Sequence, residues 1–207
     1  MKTSLIYDKN YYECGIESGK SLYTNYRWMP ELTIPMCSRM IEHLKITSRD
    51  NILDFGCAKG YSVKAFRLLG REAWGFDTSE YALSCGPTEV KDFLSSDRGR
   101  YYDFEFDWVI AKDVLEHVPL DQMDDVLSWL RKKGKKVFIV VPLGDGEKYV
   151  VPSYELDKTH VIREGKDWWI NKLEEFGFED IKFSYLMDGI KENWRQYEKG
   201  NGFLIAK

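Results

Sequence analysis

The sequence predicts an α/β fold built on a seven-stranded, mostly parallel sheet with helices on both faces and an antiparallel hairpin at its C-terminal end. The first observation is that strand-like apolar runs alternate with helical patterns over residues 50–142, which is typical of a parallel sheet covered by helices. The second is that the last two strand-like runs are separated by only a short polar loop. We therefore expect these two runs to pair as antiparallel neighbours at one edge.

The strands are predicted from short apolar runs bounded by glycine, proline or polar residues. In chain order they are NILDFG, EAWGFD, TEVKDF, FDWVIAKD, KVFIVVP, EDIKFSYLM and NGFLIAK. The helices are predicted where apolar residues recur every three or four positions. They are MCSRMIEHLK after Pro35, YSVKAFRLLG, TSEYALSC, LDQMDDVLSWLRKKG and GKDWWINKLEEFGF. Thr78 or Ser79 should cap the third of these helices, and Gly70 and Gly177 should end the second and the fifth.

The length and composition indicate one globular domain. The chain has 207 residues, of which 43% are hydrophobic and 31% charged, so we predict a single domain over residues 1–207. Residues 1–45 are rich in tyrosine and predict a helical N-terminal cap. Residues 143–165 form a long irregular insertion, and such segments often shape a binding site.

The charge of the chain weighs against a nucleic-acid partner. The net charge is −4, whereas proteins that bind duplexes usually carry a basic face. One basic run, RKKGKK at residues 131–136, departs from this balance. It is either a contact for an anionic partner or the solvated end of a helix that leads into a strand, and we favour the second interpretation.

The cysteines and histidines do not suggest a metal site. The four cysteines lie far apart with no C-x-x-C pair, and there are only three histidines, so we predict no metal site. Reduced thiols are typical of a cytoplasmic protein. The sequence shows neither a signal peptide nor a segment that could span a bilayer. We therefore expect a cytoplasmic protein without a membrane partner, and the sequence leaves its oligomeric state open.

The stretch NILDFGCAKG, residues 51–60, ends a predicted strand with closely spaced glycines. A phosphate-binding loop would need a lysine after Gly60, and Tyr61 stands there instead. A dinucleotide fingerprint would need a third glycine at Tyr61. The stretch instead resembles the first motif of the class I S-adenosylmethionine-dependent methyltransferases, [DE]-x-G-x-G-x-G, with Asp54, Gly56 and Gly60 matching and Ala58 at the middle glycine. That resemblance implies a Rossmann-like sheet and S-adenosyl-L-methionine as the cofactor.

Three later segments extend the resemblance to the small-molecule methyltransferases of this family. WGFD places Asp77 at the end of the second strand, about twenty residues beyond the loop, as an acidic ribose ligand requires. The alternative interpretation of Asp77 is a helix cap. FDWVIAKDVLEHVP resembles the family's fourth strand and the turn after it. The segment from Asp157 to His160, followed by WWINKLEEFGF, resembles a late family segment.

The resemblance implies a role for each of ten residues in cofactor binding. Asp54, Gly56, Cys57, Ala58 and Gly60 would form the loop, Asp77 would bind the ribose, Asp92 and Phe93 would contact the adenine, and Lys112 and Asp113 would line the methionine end. Asp92 could equally be a simple turn residue. Tyr11 of the cap would either close over the cofactor or only pack against it.

His160 and His117 are the candidate catalytic residues. If the acceptor is a hydroxyl, a base must help to remove its proton, and an unperturbed imidazole can do this at neutral pH. His117 follows the fourth strand, and His160 lies in the insertion over residues 143–165, which we expect to shape the acceptor pocket. Each histidine also has a structural interpretation, His117 as a partner of a carbonyl and His160 as an anchor of the loop.

The resemblance implies a small-molecule acceptor, a sugar or nucleotide-sugar hydroxyl or amine. A nucleic-acid or protein methyltransferase that uses the basic run is one alternative. A catalytically silent subunit that only binds S-adenosylmethionine is a second, and an oxidoreductase on the same kind of sheet is a third.

Overall fold

The computed structural model of the chain describes residues 6–207. Its strands are Asn51–Phe55 (β1), Glu72–Phe76 (β2), Leu94–Ser95 (β3), Trp108–Lys112 (β4), Val137–Pro142 (β5), Lys182–Ser184 (β6) and Asn201–Ala206 (β7). Its α-helices are Lys9–Glu13 (α1), Gly15–Ser18 (α2), Pro30–Leu44 (α3), Tyr61–Leu68 (α4), Glu80–Ser84 (α5), Leu120–Lys133 (α6) and Lys166–Glu175 (α7). The seven strands belong to one mixed sheet, so the predicted fold class is confirmed.

The chain forms two compact halves, one that ends at Phe104 and one that starts at Glu105. In the N-terminal half, β1 and β2 run parallel, and β2 pairs in parallel with the short β3. Four of the five residues of β1 are buried, which fits a strand covered on both faces. Helix α4 follows β1 directly and packs its buried face, which includes Val63 and Phe66, into this half.

In the C-terminal half, β4 pairs in parallel with β5, and β5 pairs antiparallel with β7. The hairpin partner β6 lies on the other side of β7, also antiparallel, so the predicted C-terminal hairpin is confirmed. All six residues of β5 are buried. Helix α6 buries Met123, Val126, Leu127 and Leu130, the i, i+3, i+4, i+7 spacing of one helix face.

One predicted strand and one predicted helix start are wrong, and both lie next to a proline. TEVKDF is not a strand but a 3-10 helix, Thr88–Phe93, and the third strand is the two residues after it. Pro87 fixes the backbone ahead of this turn, and Val90 is the turn's buried apolar residue, so the segment has no strand face. Helix α3 starts at Pro30 rather than after Pro35. Pro30 stands at the first helical position, where its missing N–H needs no partner, and Pro35 lies inside the helix.

The capping predictions agree with the structure. Ser79 caps α5, because its side chain accepts a hydrogen bond from the backbone N–H of Ala82. Gly70 and Gly177 follow α4 and α7 with φ of 72° and 76°, the left-handed conformation in which helices commonly end. Among residues 6–207, none of the helices is long and apolar enough to cross a membrane.

Two leucines of α6 provide a matched test of the core. Leu130 is fully buried, whereas Leu120 is 62% exposed. We expect Leu130→Ala to lower the free energy of unfolding by about 2–5 kcal/mol, because it leaves a cavity. Leu120→Ala should change it by less than about 0.5 kcal/mol. Urea denaturation of both variants measures the difference, and equal effects would contradict the assignment of the buried face of α6.

Candidate methyl-donor and acceptor sites

The loop after β1 keeps a backbone conformation that favours glycine. Gly56, Ala58 and Gly60 have φ of 80°, 49° and 74°. The backbone N–H groups of Gly56 and Cys57 both donate to the carbonyl oxygen of Phe76, at 2.7 and 3.0 Å. A side chain on Gly60 would put its Cβ 2.8 Å from the methyl carbons of a neighbouring leucine. The positive φ is thus the reason that glycine is favoured at residue 60, because the leucine side chain could move to relieve the close contact.

Asp77 stands at the end of β2 and bridges the two loops that follow β1 and β2. Its Oδ2 accepts from the backbone N–H of Ala58 at 2.7 Å, and its Oδ1 accepts from that of Ser79 at 2.7 Å. The side chain is almost fully buried. Burial raises the pKa of Asp77 to about 6, although the hydrogen bonds from Ser79 and Ala58 oppose this rise. Asp77 is thus a loop bridge rather than the helix cap of α5, which is Ser79.

The N-terminal cap packs against this loop through tyrosine side chains. Tyr11, Tyr12 and Ala82 form a buried cluster, and Ala58 of the loop packs against it. Burial raises the pKa of Tyr12, and the charge of Asp77 raises it further. Tyr11 packs edge-on against Tyr12, with 5.0 Å between the ring centroids.

A buried ion pair also ties the loop to the cap. Lys59 lies within the glycine loop, and its side chain is only 7% exposed. Its ammonium group contacts the carboxylate of Glu13 at 2.5 Å and donates to the carbonyl oxygen of Tyr26 at 2.6 Å. Tyr81 donates from its hydroxyl to the same carboxylate at 3.0 Å. Sequence analysis missed Lys59 and Glu13, because nothing in either local sequence indicates that the two residues meet.

The remaining predicted residues of the N-terminal half have different surroundings. Asp54 and Cys57 are buried, and burial raises the pKa of the Cys57 thiol well above its ordinary value. Phe93 stacks under the guanidinium group of Arg67, whose carbon lies 3.5 Å from the ring centroid. Asp92 has an exposed side chain in the 3-10 turn. The adenine contacts of Asp92 and Phe93 stay predictions.

In the C-terminal half, a charged group follows β4. Asp113 has φ of 58° and contacts the ammonium groups of Lys112 and Lys191, each at 2.5 Å. Burial opposes ionisation of Asp113, but the two lysines hold its pKa well below the ordinary value. Lys191 also donates to the hydroxyl of Tyr154 at 2.9 Å. Sequence analysis identified Lys112 and Asp113 and missed Lys191, which lies in the polar loop before β7.

The two candidate catalytic histidines lie together in this half. The ring centroids of His117 and His160 are 4.5 Å apart. Nδ1 of His117 hydrogen-bonds the hydroxyl of Thr159 at 2.7 Å, and that hydroxyl donates to Asp157 at 2.6 Å. Nε2 of His160 lies 4.0 Å from the carboxylate of Asp157. The chain thus brings a turn after β4 and the irregular insertion into one cluster.

Burial keeps both rings neutral. It lowers the pKa of His117 to about 4, with a further contribution from His160, and it also lowers the pKa of His160. Glu116, the residue before His117, is 1% exposed. Burial and the charge of Asp113 raise the pKa of Glu116 well above its ordinary value. At neutral pH the two imidazoles therefore act as neutral donors and acceptors.

A small groove with a volume of about 10 Å³ lies in the C-terminal half. Lys191 and Trp194 line it together with Tyr185, just after β6, and the start of β7. Its charged lining consists of Asp188, Lys191, Glu192 and Arg195, two acidic and two basic residues. The groove is therefore small and close to electrically neutral.

Comparison with known proteins assigns the family. A family model described as a methyltransferase domain matches residues 28–183, about three quarters of the chain. The chain belongs to the methyltransferase domain family. The predicted family, enzyme class and cofactor, S-adenosylmethionine, are confirmed at this level. No protein with a curated description matches the sequence.

Solved structures share the fold of this methyltransferase. An S-adenosylmethionine-dependent methyltransferase from Archaeoglobus fulgidus is 17% identical, with a TM-score of 0.65 over 86% of this chain and 96% of that one. Phosphoethanolamine N-methyltransferase 2 of Haemonchus contortus, in complex with phosphomonomethylethanolamine and S-adenosylhomocysteine, is 18% identical, with a TM-score of 0.69 over 98% of this chain and 60% of that one. The glycopeptide N-methyltransferase MtfA with sinefungin is 13% identical, with a TM-score of 0.60 over 84% of this chain and 86% of that one.

The pKa of Asp77 predicts how the stability of the methyltransferase depends on pH. The folded protein holds the Asp77 proton to about pH 6, whereas the ordinary pKa is 3.8. The stabilisation from this proton is fully present below about pH 4 and is lost as the pH rises through 6. We expect the free energy of unfolding of the wild type, relative to Asp77→Asn, to fall by about 2 kcal/mol between pH 4 and 7.

Urea denaturation of both proteins at pH 4, 5, 6 and 7, without cofactor, measures this difference. Subtracting the variant removes the contribution of all other titrating groups. A difference that stays constant across the range would show that the Asp77 pKa is not raised.

Proposed function

We propose that the N-terminal half of this methyltransferase binds S-adenosylmethionine through the glycine loop and Asp77, and that the C-terminal half binds a small polar acceptor. In this proposal, Gly56, Ala58 and Gly60 let the cofactor approach the backbone. Asp77 accepts from the ribose hydroxyls. Asp54 and Cys57 belong to the same loop, and Asp92 and Phe93 contact the adenine. Lys112 and Asp113 hold the methionine end.

The observation that carries the cofactor assignment is the buried Asp77 carboxylate held by the loop itself. Each of its oxygens accepts one backbone N–H, and a carboxylate oxygen can accept a second hydrogen bond. The side chain is thus fixed in orientation and still able to accept from two neighbouring hydroxyls. A ribose offers such a pair. Burial strengthens these hydrogen bonds, because a charged acceptor in low dielectric binds donors more strongly than one in water.

The acceptor in this proposal is a sugar or nucleotide-sugar hydroxyl or amine. The groove lined by Lys191 and Trp194 supports a polar ligand, since its charged lining consists of two acidic and two basic side chains. Its balanced charges fit a polar ligand better than a polyanion. Trp194 is only partly buried, and in this proposal its ring stacks on the sugar.

The basic run at residues 131–136 does not favour the nucleic-acid or protein alternative. Lys133 is buried. Lys135 pairs with Asp107 at 2.9 Å, and the ammonium of Lys136 lies 5.0 Å from the ring centroid of Trp108. These side chains make contacts within their own half of the protein, which fits the helix-end interpretation.

Methyl transfer from S-adenosylmethionine needs alignment of the acceptor more than activation of the methyl group. The sulfonium methyl group of S-adenosylmethionine is already electrophilic, so the protein must position the acceptor in line with it and exclude water. His160 and His117 are proposed to contact the acceptor atom. As neutral imidazoles they can accept its proton or orient it. Nδ1 of His117 is already hydrogen-bonded to Thr159, whereas Nδ1 of His160 has no partner among the described residues, so we assign His160 the larger catalytic share and His117 an orienting one.

Asp77→Asn tests the cofactor site. We expect its affinity for S-adenosylhomocysteine to fall at least tenfold, because a hydrogen bond to a charged group contributes about 1.5–3 kcal/mol. Asp97→Asn is the matched control, since Asp97 also accepts a backbone N–H at the start of a short helix but is exposed. Calorimetric titration measures both. Unchanged affinity in Asp77→Asn would remove the ribose assignment, and absence of binding in the wild type would remove the cofactor site.

His160→Asn tests the acceptor site. Transfer of labelled methyl groups is first screened over sugars, nucleotide sugars and small amines, with RNA and protein as the competing acceptors. On the acceptor found, kcat should fall about 100-fold or more, while the affinity for S-adenosylhomocysteine stays unchanged. His43→Asn, on α3 and outside the histidine cluster, is the control. Equal turnover in both variants would exclude His160, and transfer only to RNA or protein would overturn the small-acceptor proposal.

A further inference from the structure

We propose that Glu116, His117 and His160 form a binding site for one divalent transition-metal ion. One candidate ligand atom from each of the three side chains lies within 4.8 Å of the other two. Two imidazole nitrogens and one carboxylate oxygen are a common ligand set for such ions. The sequence analysis predicted no metal site, because the chain has only three histidines and its cysteines lie far apart with no C-x-x-C pair.

Two buried polar atoms of this cluster lack hydrogen-bond partners among the described residues. Among residues 6–207, Oε2 of Glu116 and Nδ1 of His160 have no hydrogen-bond partner. Glu116 is 1% exposed and His160 is 8% exposed, so water reaches neither freely. Leaving such groups unpaired in the interior costs free energy, and native proteins rarely do so. A metal ion between the two side chains would satisfy both atoms at once.

The backbone holds the ligand-bearing segments together without any ion. The carbonyl oxygen of Glu116 accepts from the backbone N–H groups of Val161 at 2.8 Å and Ile162 at 3.3 Å. These bonds fix the residues next to His160 against the turn that carries Glu116 and His117. The backbone hydrogen bonds therefore hold the segments that carry the three side chains next to one another.

Thr159 and Asp157 provide the outer support that metal-binding histidines commonly have. Nδ1 of His117 is engaged by the Thr159 hydroxyl, which in turn donates to Asp157. A hydrogen bond at one ring nitrogen fixes the orientation of the ring, so that the other nitrogen can face a metal ion. His117 would therefore bind through Nε2, and His160 through its Nδ1.

The donor set selects the kind of ion. Imidazole nitrogen with one carboxylate suits Mn²⁺, Fe²⁺, Co²⁺ or Zn²⁺, whereas Mg²⁺ and Ca²⁺ prefer oxygen ligands alone. Ligand atoms around such an ion, at bonds of about 2.1 Å, lie roughly 3–3.5 Å apart. The present separation of up to 4.8 Å is wider, so binding would draw the three side chains together by about 1 Å, which small side-chain rotations allow.

Three protein ligands leave coordination positions for the oxygen or nitrogen of an acceptor. With an ion bound, His117 and His160 would act on the acceptor through the ion and not as bases. The ion would orient the acceptor and lower the pKa of its hydroxyl, which favours loss of the proton to solvent before methyl transfer. This role rests on the proposed function, whereas the binding of the ion does not.

Cobalt titration of the chelator-treated protein tests the site. We expect one Co²⁺ per chain, visible absorption bands of the bound ion and a raised Tm. Glu116→Gln and His160→Asn should each weaken Co²⁺ binding at least 100-fold and lose the Tm shift. Thr159→Val, which removes only the support of His117, should weaken it about tenfold. His43→Asn should bind as the wild type does.

Several results would overturn the site. They are no stoichiometric binding of Co²⁺, Mn²⁺ or Zn²⁺, equal binding in the Glu116 and His160 variants, or loss of binding in His43→Asn. Circular dichroism verifies that each variant is folded. If Glu116→Gln and His160→Asn do not fold, the weaker Co²⁺ binding expected of Thr159→Val still tests the site. Titration with S-adenosylhomocysteine in parallel separates this proposal from the proposed function, because either ligand can bind while the other fails. Methyl transfer that is not stimulated by Co²⁺ in a protein that binds it would overturn the acceptor role alone.

Discussion

The N-terminal half depends on one buried carboxylate that accepts two backbone hydrogen bonds. Asp77 joins the loop after β1 through Ala58 and the loop after β2 through Ser79. Ser79 in turn caps α5 and donates from its hydroxyl to the backbone of Tyr7 at 2.5 Å. A shared acceptor thus connects two strand ends, one helix start and the N-terminal cap. The burial that raises the pKa of Asp77 is the energetic cost of this arrangement.

The C-terminal half is organised around charge balance and hydrogen-bonded histidines. Asp113 is neutralised by two lysines that come from distant parts of the sequence. Glu116, three residues later, has no comparable partner at its Oε2 among the described residues. Two carboxylates on one turn thus differ sharply in environment. Asp113 is held as an anion by its two lysines, whereas Oε2 of Glu116 has no hydrogen-bond partner among the described residues.

Most of the fold could be predicted because its signals are local. Strands β1, β2, β4 and β5 are continuous apolar runs, and the helix ends carry glycine or serine caps, so each element is specified by a few neighbouring residues. TEVKDF misled the prediction because Val90 and Phe93 are apolar at positions that a short strand could also use. A 3-10 turn and a two-residue strand leave almost no pattern in a sequence.

Site residues could be predicted only where their spacing in a sequence motif reflects the geometry of the backbone. Asp54, Gly56, Gly60 and Asp77 occur at spacings set by the loop and strand geometry. The ion pairs of Lys59 with Glu13 and of Lys191 with Asp113 join residues far apart in the sequence, and no local signal encodes such partners. The convergence of Glu116 with His160 likewise depends on the path of the irregular insertion.

Lys59 has a consequence for how this protein can be recombined with its relatives. The positive φ values of the glycine loop describe only its backbone shape. Here its fourth residue anchors the N-terminal segment through Glu13 and the carbonyl of Tyr26. A chimera that imports the loop of another family member would preserve the turn but detach the cap. Loop and cap therefore form one exchangeable module, and directed evolution should vary them as a unit.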